Sequence, residues 1–232
     1  MAIHDPPPSG SAMVGDILDV DDIDLRLATM LVRIARKSIE LYLESGDEDS
    51  VIDYGELLKL DPRMAKKAAL FVTLEKVSGS SRSLRGCIGF TAHHIELARA
   101  IVESAIASAF KDPRFRPVKR EELGSIAIEI AVLGPKIEIM GPGNILIGRD
   151  ALYIESIYGS GILLPQVPVE YCWDEETFLG ETCLKAGLDL ACWFRRDVKK
   201  YRLPGRVFYE EKPRGEVVER DLRREYLSRC SP

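Results

Sequence analysis

The segment Ser125–Leu133 is the strongest single constraint on how this chain can fold. Large apolar residues recur with a period of two and would fill one face of an extended strand: Ile126, Ile128, Ile130 and Val132. Ala127, Glu129 and Ala131 would line the other face. Because burial of an unpaired carboxylate is costly, Glu129 must face water or have a cationic partner, and we predict Arg85 as that partner.

A second predicted strand, Leu84–Phe90, has the clearest potential for chemistry. If it is extended, Leu84 and Ile88 point into the core, and Arg85 and Cys87 lie on the opposite face, roughly 7 Å apart. A guanidinium near a thiol favours the thiolate, which is the nucleophilic form of cysteine. The spacing therefore indicates a candidate active-site cysteine.

The same stretch also has a purely structural interpretation. Gly86 and Gly89 lack side chains, so another backbone or a ligand can approach closely, but glycines in a strand often mark only a bulge. A free cysteine is usually a small buried hydrophobe. The residues alone favour the structural interpretation, because only position, exposure and pKa make Cys87 reactive.

The remaining patterns predict an α/β (α+β) fold, with helices flanking a mainly antiparallel sheet. Helical periodicity follows Asp24, covers Ile95–Phe110, and runs from Asp174 to Gly187. Ala68–Val77 predicts a strand that pairs with Leu84–Phe90 as a hairpin. Three further short strands have hairpin spacing: Lys136–Met140, Ile145–Ile147 and Leu152–Ile157.

Composition narrows the function classes. The 232 residues carry a net charge of −5, which gives no general attraction to nucleic acid. No apolar run reaches membrane-spanning length, and the first residues do not resemble a signal peptide. The five cysteines form no CxxC pair, so we expect reduced thiols, no zinc site and a cytoplasmic protein.

Several short motifs together resemble the AMMECR-one domain family. The most characteristic motif is Leu84-Arg85-Gly86-Cys87-Ile88-Gly89. The whole resemblance covers about Ala68–Gly187. The other matching segments follow in the family's order: Phe71–Leu74, Asp112-Pro113-Arg114-Phe115, Ile147-Gly148-Arg149-Asp150, Leu163–Val167, Glu170 with Trp173-Asp174, and Cys183–Gly187.

The resemblance implies a larger and a smaller subdomain around a cleft, in a cytoplasmic protein. We place this domain at residues 23–212, after an acidic mobile tail over 1–22 and before a basic tail over 213–232. The family has no settled biochemical function. Its proposed contexts are an enzyme built around the motif cysteine, or an accessory role beside radical-SAM and Memo-type proteins.

Two functional hypotheses follow. In the first, Cys87 is a nucleophile activated by Arg85, and Glu129 or a histidine (His93 or His94) handles protons in a group transfer or macromolecule modification. Polar side chains of the same cleft then orient the substrate: Gln166, Glu170 and Lys185. No cofactor is implied.

In the second hypothesis the chain is a binding module without catalysis, for a peptide, a small anionic ligand or, less favoured, nucleic acid. Gly86 and Gly89 let the ligand approach, and Arg85 and Lys185 grip an anionic group. Arg114 either binds an anion too or holds its own turn through Asp112. Substrate, partner and oligomeric state do not follow from the sequence.

Overall fold

The computed structural model describes residues 16–47 and 53–230. The chain divides into two compact units, a larger unit 1 (Met1–Val132 and Phe208–Glu219) and a smaller unit 2 (Leu133–Val207 and Arg220–Pro232). Helices and antiparallel strands occur in both, which confirms the predicted α+β class. Across the described ranges, no helix combines the length and hydropathy needed to cross a membrane.

The α-helices and strands are numbered in chain order. The helices are α1 (Leu25–Ser45), α2 (Tyr54–Leu60), α3 (Leu97–Phe110), α4 (Gln166–Tyr171), α5 (Glu175–Lys185) and α6 (Leu222–Cys230). The strands are β1 (Ala69–Ser78), β2 (Ser81–Phe90), β3 (Ile126–Leu133), β4 (Ile137–Glu138), β5 (Asp150–Ser156), β6 (Gly159–Leu163), β7 (Lys199–Glu210) and β8 (Val217–Glu219).

In unit 1, helices α1 and α3 contribute to one core together with one face of the strands in the order β2-β1-β3-β7. The predicted caps of α1 are present: the Asp24 carboxylate accepts a hydrogen bond from the Leu27 N–H at 2.7 Å, and Gly46 ends the helix at φ 71°. The predicted β1–β2 hairpin forms, with Val72 opposite Ile88.

In unit 2, strand β5 pairs antiparallel with both β6 and β7. Helix α5 starts at Asp174, whose carboxylate accepts the Thr177 N–H at 2.8 Å, and Gly187 follows its end at φ 77°. The helix lies close to β6, because a Cβ on Gly161 would be 2.5 Å from the Ala186 nitrogen. The small residue is therefore needed for this packing.

Two segments differ from the sequence prediction. Ile145–Ile147 is not a strand, because Pro142–Asn144 forms a 3-10 turn and the Leu146 N–H then donates to the buried Asp150 carboxylate at 2.8 Å. The sequence pattern of Arg206–Glu211 by itself predicts a short last strand, but it belongs to the end of the longer strand β7. The first difference arises from a contact between residues that periodicity does not connect.

The boundaries of the two predicted tails are wrong where the structure describes them. Leu18 and Val20 are buried in the core of unit 1, and the Leu18 N–H donates to the Lys67 carbonyl at 2.9 Å. The segment 213–232 includes β8 and α6, with Val217 and Leu222 buried. Residues 1–15 of the predicted N-terminal tail lie outside the described residues.

The expectation of five reduced thiols is also wrong. Cys172 is bonded to Cys230, and Cys183 is bonded to Cys192. All five cysteines belong to the described part of the chain, and Cys87 is the one that forms no disulfide there. Both pairs join residues that the fold brings together across 58 and 9 positions, so the absence of a CxxC motif did not exclude them.

A buried ion pair joins α1 to the end of β7 within unit 1. Arg36 of α1 is 8% exposed and binds the Glu210 carboxylate through Nε, at 3.1 Å, and through Nη2. The same Nη2 donates to the Ile126 carbonyl at 2.8 Å, and the Ile128 N–H donates to Glu210 at 3.1 Å. The pair thereby satisfies backbone groups of β3.

We expect Arg36→Met to destabilise the fold by about 3–5 kcal/mol, because Glu210 would remain buried without its cation. The exposed pair Lys59–Glu56 supplies a control, and Lys59→Met should change stability by less than about 1 kcal/mol. Urea denaturation followed by circular dichroism measures both. Equal effects of the two substitutions would contradict the structural role of Arg36.

Candidate functional site

A β-bulge at Arg85 changes the faces that we predicted for strand β2. Leu74 pairs with Gly86 and Glu75 pairs with Leu84, so Arg85 has no residue opposite it. Leu84 consequently lies on the same face as Cys87 instead of sharing the face of Ile88. Its side chain is 46% exposed, so the prediction that Leu84 enters the core is wrong.

The backbone of Cys87 is held by the side chains of two residues that follow α3. Its N–H donates to Asp112 Oδ2 at 2.9 Å, and its carbonyl accepts from Arg114 Nη2 at 3.2 Å. Arg114 in turn binds both oxygens of Asp112, at 2.9 and 2.6 Å. Of the two roles left open for Arg114, the structure shows the one in which it holds the turn with Asp112.

The buried Asp112 carboxylate is strongly stabilised in its charged form. Burial acts to raise its pKa, but hydrogen bonds from Arg114 and from the Cys87 N–H outweigh this effect and lower the pKa from 3.8 to about 2. Asp112 is therefore ionised at neutral pH. This stable charge fixes the position of Cys87 along β2.

Arg85 does not pair with Glu129 as predicted. Its Nε and Nη2 bind the two carboxylate oxygens of Glu122 at 2.9 and 3.1 Å, and its guanidinium lies 5.9 Å from the centre of the Phe115 ring. Its Nη1 is enclosed and has no hydrogen-bond partner among the described residues. The guanidinium is therefore directed towards Glu122 rather than towards the Cys87 thiol.

A row of three polar side chains crosses neighbouring strands of unit 1. Thr73 on β1 is opposite Cys87 on β2, and its hydroxyl donates to Cys87 Sγ at 3.3 Å. Glu129 belongs to β3, the other neighbour of β1. Since Ile128 and Ile130 enter the core of unit 1, Glu129 lies on the same face as Thr73.

In the row of Thr73, Cys87 and Glu129, two side chains are buried and the third is partly exposed. Thr73 is 7% and Glu129 is 3% exposed, and Cys87 is partly exposed. Burial raises the pKa of the Cys87 thiol; Thr73 and Arg114 act to lower it and Glu129 acts to raise it, and burial dominates. This direction is opposite to that of the activated thiolate that the catalytic hypothesis requires.

The two glycines of β2 accommodate the chain's own backbone. A Cβ on Gly86 would lie 2.1 Å from the Ser108 carbonyl oxygen of α3, and one on Gly89 would lie 2.2 Å from the Leu70 carbonyl oxygen of β1. The Ser108 hydroxyl also accepts the Ile88 N–H at 2.8 Å. The space beside each glycine is therefore filled by the chain's own backbone, which leaves no room for a ligand on that side.

A histidine base for Cys87, at His93 or His94, stays a prediction. The hydrogen bond and ring contact shown for His94 are with the Ala92 carbonyl, at 3.2 Å, and with the Phe90 ring, at 5.5 Å. Among the described residues, no group of three His, Cys, Asp or Glu side chains is placed to hold a metal ion. The row itself offers a thiol, a hydroxyl and a carboxylate.

The other predicted site residues belong to unit 2. Gln166 is buried at the start of α4, and Glu170 on the same helix pairs with Arg220 at 3.4 Å. Lys185 is exposed at the end of α5. The expectation that these three residues line one cleft with Cys87 stays a prediction.

Several important residues were missed by sequence reasoning. Thr73 and Ser108 look like ordinary strand and helix residues, and Glu122 lies in an unremarkable charged turn. Asp112 carried a usable signal, because the Asp-x-Arg spacing lets both side chains and the backbone of one turn bond together. The partner of that turn, Cys87, was not predictable from spacing.

Comparison with known proteins agrees with this architecture. The AMMECR1 family model matches residues 32–208 of this chain. The match covers strand β2 with Cys87 and parts of both units. This chain belongs to the AMMECR1 family. The family was thus identified correctly from the sequence motifs.

The relatives carry no described function. The chain is 42% identical to "Protein SSO0193" of Saccharolobus solfataricus, covering 88% of this chain and 90% of that protein. It is 45% identical to a Thermococcus gammatolerans protein, covering 83% and 94%. The crystal structure of the uncharacterized protein PH0010 from Pyrococcus horikoshii matches with a TM-score of 0.75 and 44% identity, covering 82% and 95%.

We expect Gly86→Ala to destabilise unit 1 by about 1–3 kcal/mol, because the added methyl group would collide with the Ser108 carbonyl. Gly124→Ala is the matched control, since a Cβ there meets no atom within 4 Å. Urea denaturation midpoints compare the two variants. If Gly86→Ala is as stable as Gly124→Ala, the space beside Gly86 is open and available to a ligand.

Asp112→Asn should remove a pH-dependent part of the stability. Because the folded-state pKa is about 2 against 3.8 for the free group, ionised Asp112 contributes about 2 kcal/mol above pH 4, and this is lost as the pH falls through 3.8 towards 2. The variant should be less stable at pH 7 and show a shallower decline between pH 4 and 2, measured by urea denaturation.

Asp197→Asn provides the comparison for Asp112, because its carboxylate is paired with Arg195 at the protein surface. We expect little change of stability at any pH from this substitution. An unchanged acid profile for Asp112→Asn would mean that Asp112 does not hold Cys87 through its charge.

Proposed function

We propose that this protein is a binding module, and that the row of Thr73, Cys87 and Glu129 contacts its ligand. The observation that carries the proposal is the position of Cys87, which is partly exposed and accepts a hydrogen bond from Thr73 at 3.3 Å on the face that also carries Glu129. Burial also raises the pKa of the Cys87 thiol. At neutral pH the residue is then a neutral thiol, which is a weak nucleophile. Partial exposure of Cys87 leaves it open to contact by a ligand.

The chemistry of the row favours a ligand that donates hydrogen bonds. The Thr73 hydroxyl donates a hydrogen bond to Cys87 Sγ, so the lone pairs of its oxygen are left to accept hydrogen bonds. Glu129 supplies a buried carboxylate on the same face, flanked by the small side chains of Ala127 and Ala131. An amine or guanidinium of a peptide or a small polar molecule fits these groups.

The arrangement argues against the anionic ligand that we first considered. The guanidinium of Arg85 is bound by Glu122, and that of Arg114 is bound by Asp112. Each cation therefore already has a bidentate carboxylate partner. An incoming anion would have to displace one of these carboxylates and would meet Glu129 on the same face.

The proposed setting of the protein follows the family resemblance. We propose a cytoplasmic protein that works beside a Memo-type or radical-SAM partner, and we place nucleic acid behind a protein or small-molecule ligand. The two disulfides do not decide the compartment, because the intracellular proteins of hyperthermophilic archaea are also rich in disulfides.

Group transfer through Cys87 is a second candidate function. It is favoured by one observation, namely that Cys87 is partly exposed and is the one cysteine outside a disulfide in the described chain. The thiol would attack an acyl carbon and lose its proton to Glu129, the acyl–leaving-group bond would break, and a thioester would form. This candidate requires the thiolate to be reachable near neutral pH.

The alkylation rate of Cys87 as a function of pH distinguishes the two candidates. The disulfides leave Cys87 as the single thiol for iodoacetamide, so intact protein can be analysed by mass spectrometry, with Cys87→Ala as the blank. We expect slow modification below pH 9 and an apparent pKa above the free-thiol value of about 8.5. An apparent pKa below 7 would favour group transfer instead.

Ligand chemistry is tested separately by NMR titration of the labelled protein with arginine amide and, for comparison, with succinate. The proposal expects shifts at Thr73 and Cys87 only with the cation, and their loss in Glu129→Gln. Shifts caused by succinate alone would restore the anionic ligand. No shift with either probe would contradict a binding role for this row.

A further inference from the structure

Helix α6 buries few apolar side chains that would hold it against the rest of unit 2. Four of its nine residues are charged, and in the described chain Leu222 is its one buried residue, while Leu227 is 51% exposed. Helices this short are marginal in water, and most of their stability comes from burying an apolar face. The fixed position of α6 therefore depends on other contacts.

The beginning of α6 rests on the turn before β5. Gly148 adopts φ 81°, and a Cβ there would lie 2.8 Å from both the Arg223 nitrogen and the Leu222 carbonyl carbon. Just before the helix, Arg220 pairs with Glu170 at 3.4 Å and with Glu225 at 2.8 Å. Both carboxylates are about a third or more exposed, so these pairs contribute modestly and position the helix without fixing it strongly.

The end of α6 is attached covalently. Cys230, its last residue, is bonded to Cys172, which follows α4 at φ 51°. Cys172 is exposed and Cys230 is partly exposed, whereas both residues of the Cys183–Cys192 bond are fully buried. A reductant in solution therefore reaches one disulfide of unit 2 and not the other.

The surface beneath α6 includes residues that the sequence analysis singled out. Glu170, expected to orient a substrate, has the Arg220 guanidinium beside its carboxylate and Arg229 beside its carbonyl, at 3.5 Å. Gly148, from another matching segment, is covered by the start of α6. The helix thus covers Gly148 and lies beside Glu170, whose side chain remains 45% exposed.

We propose that α6 is a redox-controlled strap: the Cys172–Cys230 disulfide holds it over Gly148 and Glu170, and reduction releases it. A thiolate of a cellular dithiol would attack one sulfur of the bond and form a mixed disulfide. The second thiol of the dithiol would then attack this mixed disulfide, so that the dithiol leaves as a cyclic or protein disulfide. The two electrons from the dithiol leave Cys172 and Cys230 as thiols. Glu170 is already 45% exposed with α6 in place, so release would act by loosening its ion pair with Arg220 and leaving the carboxylate to pair with a basic group of a partner.

Hydrogen–deuterium exchange of the full chain tests the strap. Protein purified without reductant is compared with protein treated with low dithiothreitol, and differential alkylation confirms that Cys172–Cys230 is reduced while Cys183–Cys192 remains intact. We expect amide exchange in residues 222–230 to accelerate at least tenfold on reduction. Exchange in α5 and β5 should stay unchanged.

Cys230→Ser gives the released state without any reductant, and Cys192→Ser is its counterpart at the buried bond. The strap predicts fast exchange over 222–230 in Cys230→Ser, with unit 2 otherwise protected. Slow exchange of α6 in this variant, or the absence of the Cys172–Cys230 bond from the purified protein, would overturn the proposal.

Accelerated exchange throughout unit 2 would also overturn the proposal, because the bond would then stabilise the whole unit. A mild reduction that opens Cys183–Cys192 as readily as Cys172–Cys230 would remove its selectivity. These outcomes do not involve Thr73, Cys87 or Glu129, so the strap and the proposed binding function fail or hold independently.

Discussion

The buried pair of Arg36 and Glu210 is the interaction on which the arrangement of unit 1 depends. It brings α1, β3 and the end of β7 together around two charges that would be costly to bury separately. Glu210 accepts the N–H of Ile128, the residue directly before Glu129. The ion pair on the core side of β3 therefore helps to position Glu129, which lies on the other face of the same strand.

The local part of the fold was predictable from the sequence, since it depends on residues close together in the chain. Alternation marked β1 and β3, and Asp24 and Asp174 marked the helix starts, because a cap and its N–H partner are three residues apart. The bulge at Arg85 was not predictable. One extra residue in β2 reverses the face of Leu84 without any change in apolar pattern.

The candidate site was predicted in part, and the failures have a common physical cause. Cys87 and Glu129 are on one face as expected. The charged residues, however, pair with residues from distant segments: Arg85 with Glu122, and Arg36 with Glu210. Spacing in the sequence does not specify such pairs. The same holds for the two disulfides, which link thiols without any recognisable motif.

The hydrogen bonds from Asp112 and Arg114 to Cys87 have a consequence for how the molecule behaves in a crowded solution. Strand β2 is the last strand on its side of the sheet, and an outermost strand is a template on which another chain can add. At Cys87 both main-chain groups are already bonded to side chains of the same molecule. By occupying the Cys87 N–H and carbonyl, the turn after α3 opposes the pairing of another chain with this edge of the sheet.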